Sequence, residues 1–246
     1  MTPRRAVAAT GGLWLVAMMI ATIPAHLLTV LLPPNLSLVA VSGTVWRGEA
    51  ARAVLSTPAG SMTLGRLSWR LSPLSLIRFS PAVELRSQWG NQRLAATVNV
   101  RGADRLALKA LTAEFDAGLI RQFAPLYVGG RLRLDVAQAE IAGGVPTTVN
   151  GRLVWEQAVW TADRGDSALG SYALPVETRD SVITGEWITL EGPLVIEGTV
   201  QLQERNYRLD IDLSGPALTD PMLAASLRMM AVPTAGGFEL AAEGRF

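Results

Sequence analysis

The chain has 246 residues, with 22 basic against 21 acidic side chains and a formal net charge of +1. It has no cysteine, which excludes disulfides, thiolate nucleophiles and cysteine-bound metal centres. Its one histidine, His26, lies inside an apolar N-terminal stretch, so the rest of the chain has none for a Ser-His-Asp triad or a histidine-based metal centre.

Absent cysteine also suits an oxidising compartment, where a free thiol is a liability. Without residues 1–32 the balance is 20 basic to 21 acidic. A domain so close to neutral carries no field to hold nucleic acid. Of the basic residues only Lys109 is lysine, which reflects coding bias as readily as function.

In chain order, residues 6–32 come first: AVAATGGLWLVAMMIATIPAHLLTVLL, uncharged with His26 neutral. About 20 apolar residues suffice for a helix to cross a bilayer, so this run predicts a single transmembrane helix. Arg4 and Arg5 precede it and no basic residue follows before Arg47. The positive-inside rule then places the N-terminus in the cytoplasm and the remainder beyond the membrane. Pro24 marks a kink or the exit from lipid, and Pro33 and Pro34 stop the helix. A cleaved secretory signal has an apolar core of only about 7–15 residues and a small-x-small cleavage site. This run is longer, and the small residue needed upstream of Ile23-Pro24-Ala25 is missing. The expected organisation is therefore residues 1–35, a cytoplasmic tip with the helix, and residues 36–246, a β-rich domain.

From Leu36 onward, short alternation of apolar and polar residues predicts half-buried strands. It is visible at Leu94 to Val100, Leu106 to Leu111, Arg131 to Val136, Leu194 to Leu202, Tyr207 to Leu213 and Phe238 to Phe246. Gly129-Gly130, Gly143-Gly144, Asn150-Gly151 and Gly236-Gly237 read as turns. Two short segments read as helices. Asp116 to Phe123 opens on an Asp cap, and Thr219-Asp220-Pro221 precedes MLAASLRMM with a cap and a proline at the first helical position. The pattern Gly, any residue, Leu or Val, any residue, large apolar recurs from Gly65, Gly130, Gly151, Gly192 and Gly198. It predicts strands each opened by a glycine, with the third and fifth residues on one face. The fold class expected is mainly β: an N-terminal transmembrane helix, then a curved, twisted antiparallel sheet with two short helices. No long helices separate the strands, which excludes doubly wound folds.

No phosphate-binding glycine loop, HExxH or EF-hand loop is present. Asp210 and Asp212 fall on one side of a strand and read as its solvated face. Asp163-Arg-Gly-Asp166 reads as a polar loop. Trp46, Trp69, Trp89, Trp155, Trp160 and Trp187 are read as core packing, because stacking platforms for nucleic acid need a basic groove around them. No catalytic, cofactor-binding or metal-ligating residue is assigned, and an enzyme is the class least expected.

The most specific stretch is Val41-Ser-Gly-Thr-Val-Trp-Arg-Gly-Glu-Ala50, just after the apolar run. It resembles the segment with a Gly-Thr-hydrophobic-Trp-x-Gly core that follows the anchor in the type II secretion system protein N family. Trp69 to Ile77, Gly151 to Ala158, Leu169 to Tyr172, Gly192 to Gly215 and Gly236 to Gly244 resemble further segments of that family in the same order. The residues carrying the resemblance are Gly43, Thr44, Trp46, Gly48, Trp69, Gly151 and Trp155, read as structural. The resemblance implies a bitopic inner-membrane protein, N-terminus cytoplasmic and bulk periplasmic. It implies an accessory, non-enzymatic role beside other secretion subunits that export folded periplasmic proteins. Trp46, flanked by glycine, is expected to pack the sheet near the membrane.

Two alternatives remain open from the sequence. Phe238, Leu240, Ala242, Gly244 and Phe246 are apolar at period two, as in the closing strand of an outer-membrane barrel, although most strands here read as shorter than the about 9–11 residues such barrels need. A curved sheet with one apolar concave face also suits a membrane-anchored lipid-binding groove.

Overall fold

The structure, a computed structural model, describes residues 18–30, 35–57, 60–77, 80–102, 104–122, 127–162 and 165–245. The chain divides into two compact units, residues 1–89 and 90–246.

In the first unit, β1 (Leu36–Gly43), β2 (Arg47–Thr57), β3 (Gly60–Leu71) and β4 (Ala82–Trp89) form an antiparallel meander. A short helix, α1 (Pro73–Ile77), links β3 to β4 and opens on proline, whose missing N–H is harmless in a first turn. Leu67 and Trp69 alternate inward along β3, between exposed Arg66 and Arg70. Buried Ala25, Ala50 and Trp69 centre the core of this unit, with Leu28, Leu38, Val41, Val83 and Leu85 packed against them.

Here the structure corrects the expected helix over residues 6–32. Residues 18–21 are helical, and the chain then leaves the helix at Ile23 and Pro24. Pro24 forms an isolated antiparallel bridge to Thr44. Ala25–Val30 follow as a 3₁₀ helix against β1, with Ala25 only 1% exposed. The physical reason is local: proline cannot donate the next helical hydrogen bond, and small Ala25 fits close against Ala50 and Trp69. Among the described residues no helix is long and apolar enough to cross a membrane. Arg4, Arg5, Pro33 and Pro34 lie outside the described residues.

The second unit contains β5 (Gln92–Val100), β6 (Arg105–Asp116), β7 (Val128–Ala142), β8 (Val145–Ala162), β9 (Gly165–Arg179), β10 (Val182–Glu191), β11 (Val195–Gln203), β12 (Asn206–Ser214), β13 (Val232–Pro233) and β14 (Gly237–Arg245). Each strand pairs antiparallel with the next as far as β12, which pairs with β14, and β13 then flanks β14. The order ends on β13, and among the described residues β5 does not pair with β13 or β14. The main strands are longer than expected, reaching 15 residues in β7 and β9 and 18 in β8.

Antiparallel register puts directly paired residues on one face. One row runs Leu111, Val136, Gly151, Val176, Gly185, Val200, Leu209, Ala242 across eight strands without a polar side chain. The opposite face carries the charges. Its Arg131 and Arg133 on β7 each reach Glu114 on β6 and Glu156 on β8, at 3.2–3.8 Å.

One end of the apolar face is covered. A 3₁₀ helix, Pro216–Thr219, leads into α2 (Pro221–Leu227), as the Asp220-Pro221 signal predicts. Leu223, Ala224 and Leu227 of α2 bury against Trp160, Tyr172, Ile196, Ile211, Leu213 and Phe238. The segment from Asp116 is a strand end followed by a 3₁₀ helix, Ala117–Gln122, with the Asp116 carboxylate accepting from the Gly118 N–H at 2.7 Å.

Several turn assignments are also corrected. Gly143-Gly144 is the tight turn between β7 and β8, with both φ values positive, as a mirror-image hairpin turn demands. Gly129-Gly130 and Asn150-Gly151 instead lie within β7 and β8, beside register shifts. Gly65, Gly130, Gly151 and Gly198 likewise sit inside strands rather than opening them. A Cβ on Gly151 would lie 2.7 Å from the Asp135 carbonyl oxygen, so glycine is there for close strand approach. The facing of the third and fifth residues holds: Leu132 and Leu134, or Leu153 and Trp155, share the apolar side.

Candidate interaction site

Five of the seven motif residues meet in the first unit. Gly43 and Gly48 face each other where β1 and β2 meet, and the Thr44–Arg47 turn closes between them. Gly43 has φ of 89°, a region that side-chain-bearing residues avoid. The Thr44 N–H donates to the Arg47 carbonyl at 2.9 Å, and the Arg47 N–H donates to Thr44 Oγ1 at 3.2 Å. Thr44 thus pins both ends of its own turn.

Trp69 lies across Gly48, its partner in register, so that a Cβ at residue 48 would sit 2.5 Å from the Trp69 ring. An aromatic ring laid over a strand glycine shields the backbone that glycine leaves bare. Trp69 is 6% exposed, and its indole N–H donates to the Val45 carbonyl at 3.2 Å. The Leu71 N–H donates to the Trp46 carbonyl at 2.8 Å. The turn is therefore held from β3 as well as from its own flanks.

Its outward side grips the N-terminal segment. The Trp46 indole N–H donates to the Ile20 carbonyl at 2.7 Å, and the Val45 N–H to the Ile23 carbonyl at 2.9 Å. Both are carbonyls at the end of the helical stretch, which need partners from outside the helix. Trp46 is half-buried, so it is a linking residue more than the packing residue expected. Sequence reading missed Ile20 and Ile23, because a backbone carbonyl leaves no trace in residue type.

Beside the turn lies a groove of about 400 Å³ lined by Arg47, Glu49, Arg70, Glu84 and Arg86 around Gly43, Gly48 and Trp69. Arg70 and Glu84 approach to 4.0 Å and both are more than half exposed, so this is a solvated, mixed-charge surface. Among the described residues no three His, Asp or Glu side chains converge to hold a metal ion.

Gly151 and Trp155 lie in the second unit, on β8. The Trp155 indole donates to the Gly129 carbonyl at 3.1 Å, and its ring lies 5.7 Å from that of Tyr172, tilted by 51°. Tyr172 is fully buried, with its hydroxyl 2.8 Å from the Leu169 carbonyl and 2.9 Å from the Leu194 carbonyl. Burial pushes its phenol above the ordinary range. Trp160 is buried as expected, whereas Trp89 is corrected from core to surface, at 46% exposed near the end of the first unit's last strand. Asp210 and Asp212 are exposed on the polar face. Asp163 and Arg164 lie outside the described residues, and Asp166 is exposed on β9.

A family model for protein N of the type II secretion system matches residues 34–240. The chain belongs to the type II secretion system protein N family. Within that family it is 33% identical over 227 residues to the type II secretion system protein N of Aeromonas hydrophila, covering 87% of this chain and 86% of the relative. It is 26% identical over 160 residues to the protein of the same name from Vibrio cholerae, covering 62% of each. No solved structure matches the chain. The family match takes in the whole motif turn and both β8 residues, and leaves the first 33 residues outside it.

Proposed function

We propose that this chain is an accessory inner-membrane component of the type II secretion system, acting through contacts with other subunits of the apparatus and not through catalysis. The observation that carries the reading is the family match over residues 34–240. In this reading the N-terminus is cytoplasmic and the strands are periplasmic. The anchor is shorter than residues 6–32. Residues 6–22 are 17 uncharged residues behind Arg4 and Arg5, at the lower end of the about 17–25 that cross a bilayer. Trp46, bound to the Ile20 carbonyl, then sits where tryptophan favours the membrane–water boundary. Residues 24–30 belong to the periplasmic body.

Deletion of the chain in a strain that depends on the apparatus tests the role. Loss of export with normal synthesis of the exported proteins supports it, and unchanged export overturns it. The mass of the N-terminal peptide, with separation of inner from outer membrane, tests the location. An intact N-terminus in the inner membrane is expected, and a mature N-terminus near Ala25 in the outer membrane would sink the topology.

A further inference from the structure

Charged residues that stand directly opposite each other on neighbouring strands are mostly of opposite sign in this chain. Arg93 faces Glu114, Asp135 faces Arg152 and Arg208 faces Glu243. Two places break the rule. In the first unit Arg47 faces Arg70 across β2 and β3, beside Arg86 in the groove already described. In the second unit Glu197, Asp212 and Glu239 stand in one row across β11, β12 and β14. Like charges placed directly opposite destabilise a sheet, and all six side chains are exposed. Among the described residues no ion pair reaches Arg47, Arg86, Glu197, Asp212 or Glu239, and Arg70 has only Glu84 at 4.0 Å. The sequence separates its charge in the same sense. Residues 35–89 hold six arginines against two glutamates, and residues 90–246 hold 14 basic against 19 acidic side chains.

We propose that the arginine groove beside the motif turn docks the Glu197–Asp212–Glu239 row of a second copy of this chain. Charge complementarity selects this occupant, and the spacing agrees with it. Neighbouring strands lie about 4.8 Å apart in any sheet, so guanidinium groups on β2 and β3 have the pitch of carboxylates on β11 and β12. Small residues, Ser42, Gly43, Gly48 and Ser68, line the groove of about 400 Å³ and leave room between the arginines. Each guanidinium can take a carboxylate through two parallel hydrogen bonds. Groove and row are different surfaces, so the contact is heterologous: a pair of copies keeps one free groove and one free row. Exposed ion pairs are singly weak, and salt screens them, so the contact is reversible and sensitive to salt.

Sedimentation of the full-length chain in a nonionic detergent tests this at about 0.01 M and about 1 M salt, where charges are felt over about 30 Å and about 3 Å. Association at low salt and single copies at high salt are expected. One variant carries Arg47→Glu with Arg70→Glu, and another carries Asp212→Arg with Glu239→Arg. Each alone should self-associate about tenfold more weakly, because groove and row then carry the same sign. Mixed in equal amounts they should associate again, since each then meets its opposite. Arg105→Glu, an exposed charge reversal on β6, should change nothing. The chain has no cysteine, so Ser68→Cys in one copy and Thr199→Cys in another can be joined by a bismaleimide. Thr199 stands opposite Asp210 on the face of the acidic row. A link between residues 68 and 199 across copies is expected, and it decides alone if a charge-reversed variant does not fold. Single copies at low salt, association indifferent to salt or to either reversal, a mixture that stays apart, or associated copies without the link would each overturn the proposal.

Discussion

Trp46 donates its indole N–H to the carbonyl of Ile20 at 2.7 Å, so a residue in the β1–β2 turn closes the end of a helical stretch 26 positions earlier. The neighbouring bond from the Val45 N–H to the Ile23 carbonyl repeats the link one turn on. Trp46→Phe keeps most of the ring and removes one bond, with a net worth of about 1 kcal/mol. Hydrogen exchange at the Val45 amide should then quicken by about fivefold, with exchange in β7 and β8 unchanged. An unchanged rate at Val45 would mean that the two bonds do not act together.

Gly48 is the position of least tolerance in the same unit. A Cβ there would lie 2.5 Å from the Trp69 ring and 2.7 Å from the Ser42 carbonyl oxygen. Overpacking of this kind costs about 1–3 kcal/mol. Gly48→Ala is therefore expected to lower the denaturation midpoint and to shift tryptophan emission to the red as Trp69 is pushed toward water. Gly90→Ala, where a Cβ meets nothing within 4 Å but φ is +55°, makes the informative contrast: it loses through backbone strain alone, with no change in emission.

Tyr172→Phe removes the hydroxyl that the Leu169 and Leu194 carbonyls share, and of the two Leu169 still accepts from the Leu194 N–H at 3.0 Å. An unsatisfied buried group costs about 1–3 kcal/mol, measurable by denaturant unfolding. The wild-type hydroxyl also sets a pH dependence. Its pKa is raised on folding, so the unfolded chain ionises first. Its contribution is complete below the ordinary tyrosine pKa of about 10 and declines as pH rises beyond it. Tyr172→Phe should flatten that alkaline decline, and an equal slope in both proteins would reassign it.

Asp220 gives the opposite sign. The Met222 and Leu223 N–H groups bond to its carboxylate at the start of α2 and hold its pKa below the ordinary value, with a smaller contribution from the Ser167 hydroxyl. Its stabilising effect is present above the unfolded carboxylate pKa and is lost as pH falls toward the folded one. Asp220→Ala is expected to lower the thermal midpoint at neutral pH and to weaken its dependence on acid. The same acid sensitivity in wild type and variant would show that other carboxylates govern it.

Residue pattern made some elements legible and hid others. Arg131 to Val136 and Tyr207 to Leu213 alternate strictly because each has one face on hydrocarbon and one in water, and both are strands. Asp220 and Pro221 announced α2 because capping chemistry is local. Strand length was hidden: Asn150-Gly151 looks like a turn, yet it lies within β8 because two strands crowd there and leave no room for a Cβ. The end of the helical stretch was hidden for a different reason. Leu27 and Leu28 are apolar whether they face lipid or a sheet, and composition does not separate the two; the packing of Ala25 on Trp69 does. The Gly43–Gly48 turn was found by its motif, but its partners Ile20 and Ile23 act through backbone carbonyls.

The pairing order carries a consequence for how the chain acquires its shape. From β5 to β12 every strand lies beside the one just synthesised, so the contacts that build the sheet span short stretches of sequence. Such local wiring lowers the entropy of each closure and favours rapid folding. A chain that emerges N-terminus first can add strand after strand to a growing edge without waiting for its last residues. The end of the chain departs from this: β14 takes its place beside β12 only after α2 and β13 have been made, so the final strand also brings Phe238 beside Leu213 beneath α2.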